Sequence, residues 1–177
     1  IYRVVLNDQN FERMFDRIAG RYDLLNRVIS LGLDRGWRGV LVREVTRRAP
    51  RGRVLDVATG TGDLAFALAR AGMGEVVGVD ISAGMLAEAD RKAAAVRADD
   101  GGSPSEVRFQ RADAQSLPFP DEAFDAVTVA FGVRNFEDLA AGLREMQRVL
   151  RPAGWLVILE CTTPTNGLQR LLASIYL

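Results

Sequence analysis

The segment Asp56-Val-Ala-Thr-Gly60-Thr61-Gly62 joins an apolar run to a helical stretch, and its residue types suit the close approach of a ligand. Two glycines let backbone N–H groups come near a bound molecule, and the start of the following helix adds a partial positive charge. Such a pair also fits any tight strand-to-helix turn, so alone it decides nothing. Asp80 closes the next apolar run, which begins at Glu75. A carboxylate at the carboxyl end of a second strand can accept hydrogen bonds from both ribose hydroxyls of a nucleoside. The competing role, N-cap of the next helix, is already offered by Ser82. Asp113-Ala114 ends a third run. Its acid can accept from an adenine amino group and its Ala leaves room for the ring, although a solvated loop acid reads the same way. Three acids at three successive strand ends point together, because ligands of open α/β sheets bind at those ends.

A dinucleotide site expects G-x-G-x-x-G, whereas this chain has Gly60-Thr61-Gly62-Asp63-Leu64-Ala65. Asp63 stands where a pyrophosphate would approach, so like charges disfavour that ligand. S-adenosylmethionine carries no phosphate but a sulfonium and an ammonium group, which an acid-rich pocket suits better. Asp56, Gly60, Thr61, Gly62, Asp80, Asp113 and Ala114 are therefore the candidate cofactor-binding residues. After a fourth apolar run comes Phe131-Gly-Val-Arg134-Asn135-Phe136. Arg134 and Asn135 emerge beside the expected cleft, where a substrate's polar head would lie. Position alone fits equally well a helix-capping Asn135 and a surface Arg134 paired with Glu137 or Asp138. Tyr22 and Asn26 could close over the site from the N-terminal helices, although Tyr22 also fits an apolar helix face.

These residues need a frame. Phe11, Met14, Phe15, Ile18, Tyr22, Leu25 and Ile29 recur at three- and four-residue steps and predict a helix that Gly32 breaks. Trp37, Val40, Leu41 and Val45 predict a second helix, ended by Pro50 and Gly52. From Arg53 short apolar runs alternate with helical stretches, the signature of βαβ units and a parallel sheet. Strands are expected over 54–58, 75–80, 107–113, 125–131 and 155–161. Helices are expected over 63–71, from Ser82 through Val96, and over 139–150, the last stopped by Pro152 and Gly154. The two prolines of Leu117-Pro-Phe-Pro-Asp121 predict a rigid loop. A further amphipathic helix begins at Leu168. The organisation read from this is one domain: a helical cap over 1–50, a binding α/β domain over 51–163, and the start of a helix over 164–177.

Composition narrows the chemistry. The chain has 177 residues, 23 basic and 23 acidic side chains, one Cys and no His. A chain of this length can bury roughly 70% of its unfolded surface in a single domain. Without His there is no Ser–His or Cys–His nucleophile, no His-ligated metal and no imidazole shuttle. One Cys, Cys161, excludes an intrachain disulfide and a multi-Cys metal cluster. Balanced charge argues against a general nucleic-acid grip. No apolar run approaches the roughly 20 residues of a membrane-spanning helix. Asp8, Glu12 and Asp16 interrupt any signal-peptide core, and the start at Ile1 suggests a processed or trimmed chain. The basic residues are 22 Arg and one Lys, Lys92, a skew that reads as codon bias.

From about Phe15 to Thr163 the chain resembles the ubiquinone/menaquinone biosynthesis C-methyltransferases, the UbiE-type demethylmenaquinone methyltransferases. The resemblance rests on Phe15-Asp-Arg-Ile-Ala-Gly-Arg-Tyr22-Asp23-Leu-Leu-Asn26, on Val54 to Asp63, on Val79-Asp-Ile-Ser82, and on Leu117 to Asp121. It continues through Phe131-Gly-Val-Arg-Asn135-Phe136 and Arg148-Val-Leu-Arg-Pro152. It implies a class I S-adenosylmethionine-dependent methyltransferase: a Rossmann-like, doubly wound, mostly parallel α/β sheet behind N-terminal helices. The implied reaction is methylation of a ring carbon of a demethylmenaquinol or related polyprenyl benzoquinol, with S-adenosylhomocysteine as product and no metal. Thr61, Gly60 and Gly62 would hold the methionine end of the cofactor, Asp80 its ribose, and Asp113 with Ala114 its adenine. Arg134 and Asn135 would carry the catalysis at the quinol head group, with Tyr22 and Asn26 on the substrate side. A cytoplasmic protein meeting a lipid-dissolved substrate at the membrane surface follows, and a homodimer stays open. Ala130 replaces a frequent Ser, Asp34 a His, Ala153 a Gly, and Thr162 a Ser. The family's two further C-terminal strands are expected to be missing. Another S-adenosylmethionine-dependent enzyme with a different small acceptor shares every cofactor feature, and a non-catalytic partner in quinone synthesis shares the fold.

Overall fold

The computed structural model describes residues 33–99 and 106–160. The first helical stripe, Tyr22, Asn26, Cys161 and the helix from Leu168 lie outside them. The described elements are α1 (Leu33–Arg48), β1 (Arg53–Val57), α2 (Asp63–Arg70), β2 (Glu75–Asp80) and α3 (Ala83–Asp99). They continue with β3 (Glu106–Arg111), β4 (Phe124–Ala130), a 3₁₀ turn (Val133–Asn135), α4 (Leu139–Val149) and β5 (Leu150–Leu159). The five strands form one sheet in the order β3-β2-β1-β4-β5, with every neighbouring pair parallel. Strand order therefore runs outward in both directions from the β1–β4 pair, the switch point at which such sheets open a crevice.

The β-branched runs make these strands because both faces of the sheet are covered. Alternation still sorts the side chains. Val54, Val76 and Ala126 join the core formed with Leu41 and Val45 of α1 and Leu64 and Leu68 of α2. Leu55, Val57, Val77, Val79, Val127 and Val129 join the opposite core with Met146 and Val149 of α4. Full burial of each such side chain contributes about 1.5–3 kcal/mol. The amphipathic stripe of α1 buries Leu41 and Val45 as read from the sequence, but Trp37 and Val40 are left substantially exposed.

Ser82 caps α3 as expected, its Oγ accepting from Met85 N at 3.1 Å. The expected stop at Pro152 and Gly154 needs correction. β5 begins at Leu150, directly after α4, and it continues to Leu159 rather than 161. Phe124 pairs with Leu150 and Ala126 with Trp155, so Arg151 to Gly154 form an irregularity within the strand. Ala153 sits there at φ 64. A proline is tolerated in an outer strand where a bulge interrupts the ladder. The loop 117–121 is further held by Arg148, which donates to Leu117 O (3.0 Å), Phe119 O (2.8 Å) and Asp121 Oδ1 (2.7 Å).

Candidate functional site

The carboxyl ends of β1, β2 and β4 and the segment after β3 surround one hollow of about 760 Å³. Ala58 and Gly60 come from the β1 end, Asp80 and Ile81 from β2, Asp113 and Ala114 from the β3 side, and Phe131, Asn135 and Phe136 from beyond β4. A second, more polar hollow of about 450 Å³ adjoins it, lined by Arg38, Asp56, Thr59, Gly60, Thr61 and Asp63 among others. The two share Ala58, Gly60, Ala130 and Phe131.

The two loop glycines serve different ends. Gly60 has φ +57, and a Cβ built there meets no protein atom within 4 Å. Its open side belongs to the hollows, so its backbone can lie against a ligand. Gly62 has φ +84, and a Cβ would lie 2.6 Å from Phe109. That glycine makes room for the Phe66–Phe109 edge contact beneath the loop (5.5 Å between centroids) and does not line either hollow. Ala58 and Phe131 also hold left-handed backbone, at φ 52 and 59. Non-glycine residues in that region cost of order 1 kcal/mol or more and gather at functional sites.

Asp80 accepts from Gly60 N through Oδ2 (2.8 Å) and from Ser82 N through Oδ1 (2.9 Å). It therefore sets the height of the glycine loop as well as facing the larger hollow. A carboxylate offers about four acceptor directions, so one group can serve several donors. Asp113 accepts from Gln115 N at 2.8 Å within a tight turn and lines the same hollow beside Ala114.

Asp56 is buried on β1 and turned toward the smaller hollow. Thr59 Oγ1 donates to its Oδ2 (2.6 Å) and Thr128 Oγ1 to its Oδ1 (2.8 Å). Burial pushes its carboxyl up from 3.8 to about 6, against the two threonine bonds and the charge of Arg38. The sign follows from linkage. Below pH 3.8 both folded and unfolded forms are protonated; between 3.8 and about 6 the unfolded form ionises first, so stability falls as pH rises. Above that the full penalty remains, about 3 kcal/mol at 1.36 kcal/mol per pH unit. In Asp56→Asn the penalty disappears. Its stability relative to the parent is expected to rise by about 2–3 kcal/mol between pH 4 and 6.5 in urea unfolding. A difference that stays flat with pH would remove Asp56 as the titrating group.

Asp63 does not stand open as its position in the sequence suggests. Arg38 Nη1 donates to its Oδ2 and Lys92 Nζ to its Oδ1, each at 2.8 Å. Burial pushes its carboxyl up, but the two cations outweigh this and hold it below the usual range. Its charge is locally compensated, so Asp63 repels a pyrophosphate less than an open carboxylate would. Lys92 Nζ also donates to Thr61 Oγ1 at 2.9 Å. Lys92 is thus a strut that ties α3 to the glycine loop. Position in the sequence marks none of Arg38, Lys92, Thr59 and Thr128 as a partner of these acids.

Arg134 and Asn135 part company. Asn135 lines the larger hollow, whereas Arg134 does not and is half exposed. Arg134 Nη1 pairs with Glu160 Oε1 at 3.1 Å, rather than with Glu137 or Asp138, and its guanidinium lies 5.9 Å from the Phe131 ring. The helix cap after this segment is Asp138, whose side chain accepts from Ala141 N, not Asn135. Phe131 in turn faces Trp37 of α1 across 6.2 Å.

The sequence is similar to those of known proteins. The chain is 53% identical over 161 residues to a demethylmenaquinone methyltransferase of Deinococcus radiodurans, covering 90% of this chain and 64% of that protein. It is 52% identical to a demethylmenaquinone methyltransferase of Thermus thermophilus, covering 92% of this chain and 71% of that one. A SAM dependent methyltransferase from Aquifex aeolicus superposes with TM-score 0.59 at 22% identity, over 71% of this chain and 68% of that one, a likeness of fold alone. The sheet is that of the class I S-adenosylmethionine-dependent methyltransferases. Residues 3–176 match a single family description, and the chain belongs to the ubiE/COQ5 methyltransferase family.

Proposed function

We propose that this chain binds S-adenosylmethionine and methylates a ring carbon of a demethylmenaquinol or related polyprenyl benzoquinol. The carrying observation is the convergence of Asp80, Asp113, Ala114 and the open side of Gly60 on one hollow, in a chain whose relatives are named as demethylmenaquinone methyltransferases. The donor set fits the cofactor. Asp80 would take the ribose hydroxyls, Asp113 the adenine amino group, and Ala114 would leave room for the ring. Asp56 and Thr61 would face the methionine end in the smaller hollow.

The bound cofactor supplies an electrophilic methyl group on sulfur. The protein's share is alignment and charge. Phe131 and Phe136 keep water from the larger hollow, and Asn135 orients the quinol oxygen there. Arg134 is set outside that hollow and pairs with Glu160 through Nη1, so its remaining donors would stabilise the quinolate oxygen where the head group extends past Asn135. The proton acceptor would be a water held by this pair.

No helix among the described residues is long and apolar enough to cross a membrane. Substrate reaches the site from lipid, so the protein works at the membrane surface. The test is methyl transfer to a short-chain demethylmenaquinol kept reduced. The expected result is methylated quinol and S-adenosylhomocysteine formed one to one. Cofactor binding with no transfer to any quinol would overturn the quinol assignment and leave a different acceptor.

A further inference from the structure

We infer that Gln115 is a positioning residue that couples the cofactor side of the larger hollow to its substrate side, so that filling one tightens the other. This rests on the reading of that hollow as a site shared by cofactor and quinol, and deepens it. The starting point is a helix cap that α4 cannot complete alone. A capping box needs two bonds. The N-cap side chain accepts from the N–H at the third helical position, and a Glu or Gln at that position reaches back to the N-cap N–H. Asp138 makes the first bond, accepting from Ala141 N at 2.9 Å. Ala141 carries only a methyl group and cannot make the second. Gln115, 23 positions away, supplies it: its Oε1 accepts from Asp138 N at 2.7 Å.

The same carboxamide serves the cofactor wall. Because an N–H holds its oxygen, its nitrogen faces the other way, and Nε2 donates to Asp113 Oδ1 at 3.3 Å. Asp113 Oδ1 also accepts from Gln115 N at 2.8 Å. Both bonds fall on one oxygen of an acid that lines the larger hollow, which leaves Oδ2 to a ligand. Asn135 lines the same hollow and stands just ahead of Asp138, at the end of the 3₁₀ turn. One planar, half-buried group therefore joins the wall after β3 to the segment after β4, and neither shifts against the other without straining a bond. The first ligand orders both segments, and the second finds them already ordered.

Isothermal calorimetry measures affinity for S-adenosylhomocysteine with and without saturating short-chain demethylmenaquinol kept reduced. In the parent chain the quinol is expected to tighten S-adenosylhomocysteine about five- to tenfold. In Gln115→Ala that factor is expected to fall below about twofold, while affinity for S-adenosylhomocysteine alone changes less than about threefold. Gln115→Glu separates the bridge from the cap. It keeps an acceptor for Asp138 N but sets a second carboxylate beside Asp113, so its melting temperature should stay within about 2 °C of the parent's while the coupling is lost. Coupling retained in either variant would overturn the inference and leave Gln115 as a helix cap alone. A parent chain that binds both ligands with no mutual effect overturns it too, and leaves the cofactor and quinol readings intact. A parent chain that fails to bind one of them overturns the reading of a shared site, and this inference falls with it.

Discussion

Asp80→Asn is expected to weaken S-adenosylhomocysteine about 30- to 150-fold, corresponding to roughly 2–3 kcal/mol of hydrogen bonding to a charged acceptor. The carboxylate serves two amides, those of Gly60 and Ser82, one through each oxygen. An amide side chain can still accept through its single oxygen, but its NH₂ group would face either a backbone N–H or a ribose hydroxyl as donor against donor. Two contributions therefore combine: fewer and weaker bonds to the ribose, and a glycine loop that no longer sits at its original height. A 2′,3′-dideoxy analogue of the ligand separates them by calorimetry. If the ribose contribution dominates, the substitution costs the analogue little. An equal loss for both ligands would assign Asp80 to loop support alone.

Arg134→Ala is expected to lower turnover about 10²- to 10³-fold, the scale for removing one donor that stabilises developing negative charge. Affinity for S-adenosylhomocysteine should be unchanged, because Arg134 lines neither hollow. Stability should move by less than about 1 kcal/mol, since the Glu160 pair is solvent-exposed on the arginine side. The readouts are single-turnover methyl transfer, calorimetry and a thermal melt on the same preparation. Full turnover with normal affinity would sink the assignment. A rate that recovers at high pH in the variant would be informative too. It would mean that the arginine acts by lowering the pKa of the quinol hydroxyl and that bulk hydroxide can replace this effect.

The extent of what the sequence revealed follows the range of the interactions involved. Strand identities were legible because a parallel sheet covered on both faces writes itself as short Val- and Leu-rich runs, as in Val54–Val57 and Val76–Val79. The acids at the strand ends were legible for the same reason, since the ends of the runs give their places. Lys92 and Arg38 were not. They reach Asp63 across separations of 29 and 25 residues, and nothing local marks a side chain that will bridge two helices. The start of β5 is hidden in the sequence because Pro152 and Gly154 normally end an element, whereas here they sit inside an irregular stretch of the strand. Nothing in the residue order separates Asn135, which lines the hollow, from its neighbour Arg134, which does not. A 3₁₀ turn turns successive side chains by about a third of a circle, so neighbours cannot share one face.

Asp80 binds three separate stretches of chain at once. Its carboxylate holds the amides of Gly60 and Ser82, and its own carbonyl accepts from Ala112 N at 3.0 Å. In the proposed cofactor site the surfaces for sugar and base would thereby be geared to a single residue at the end of β2. A ribose that meets Asp80 would bear on the glycine loop and on the wall beside it together, and a misplaced sugar would meet three segments instead of one.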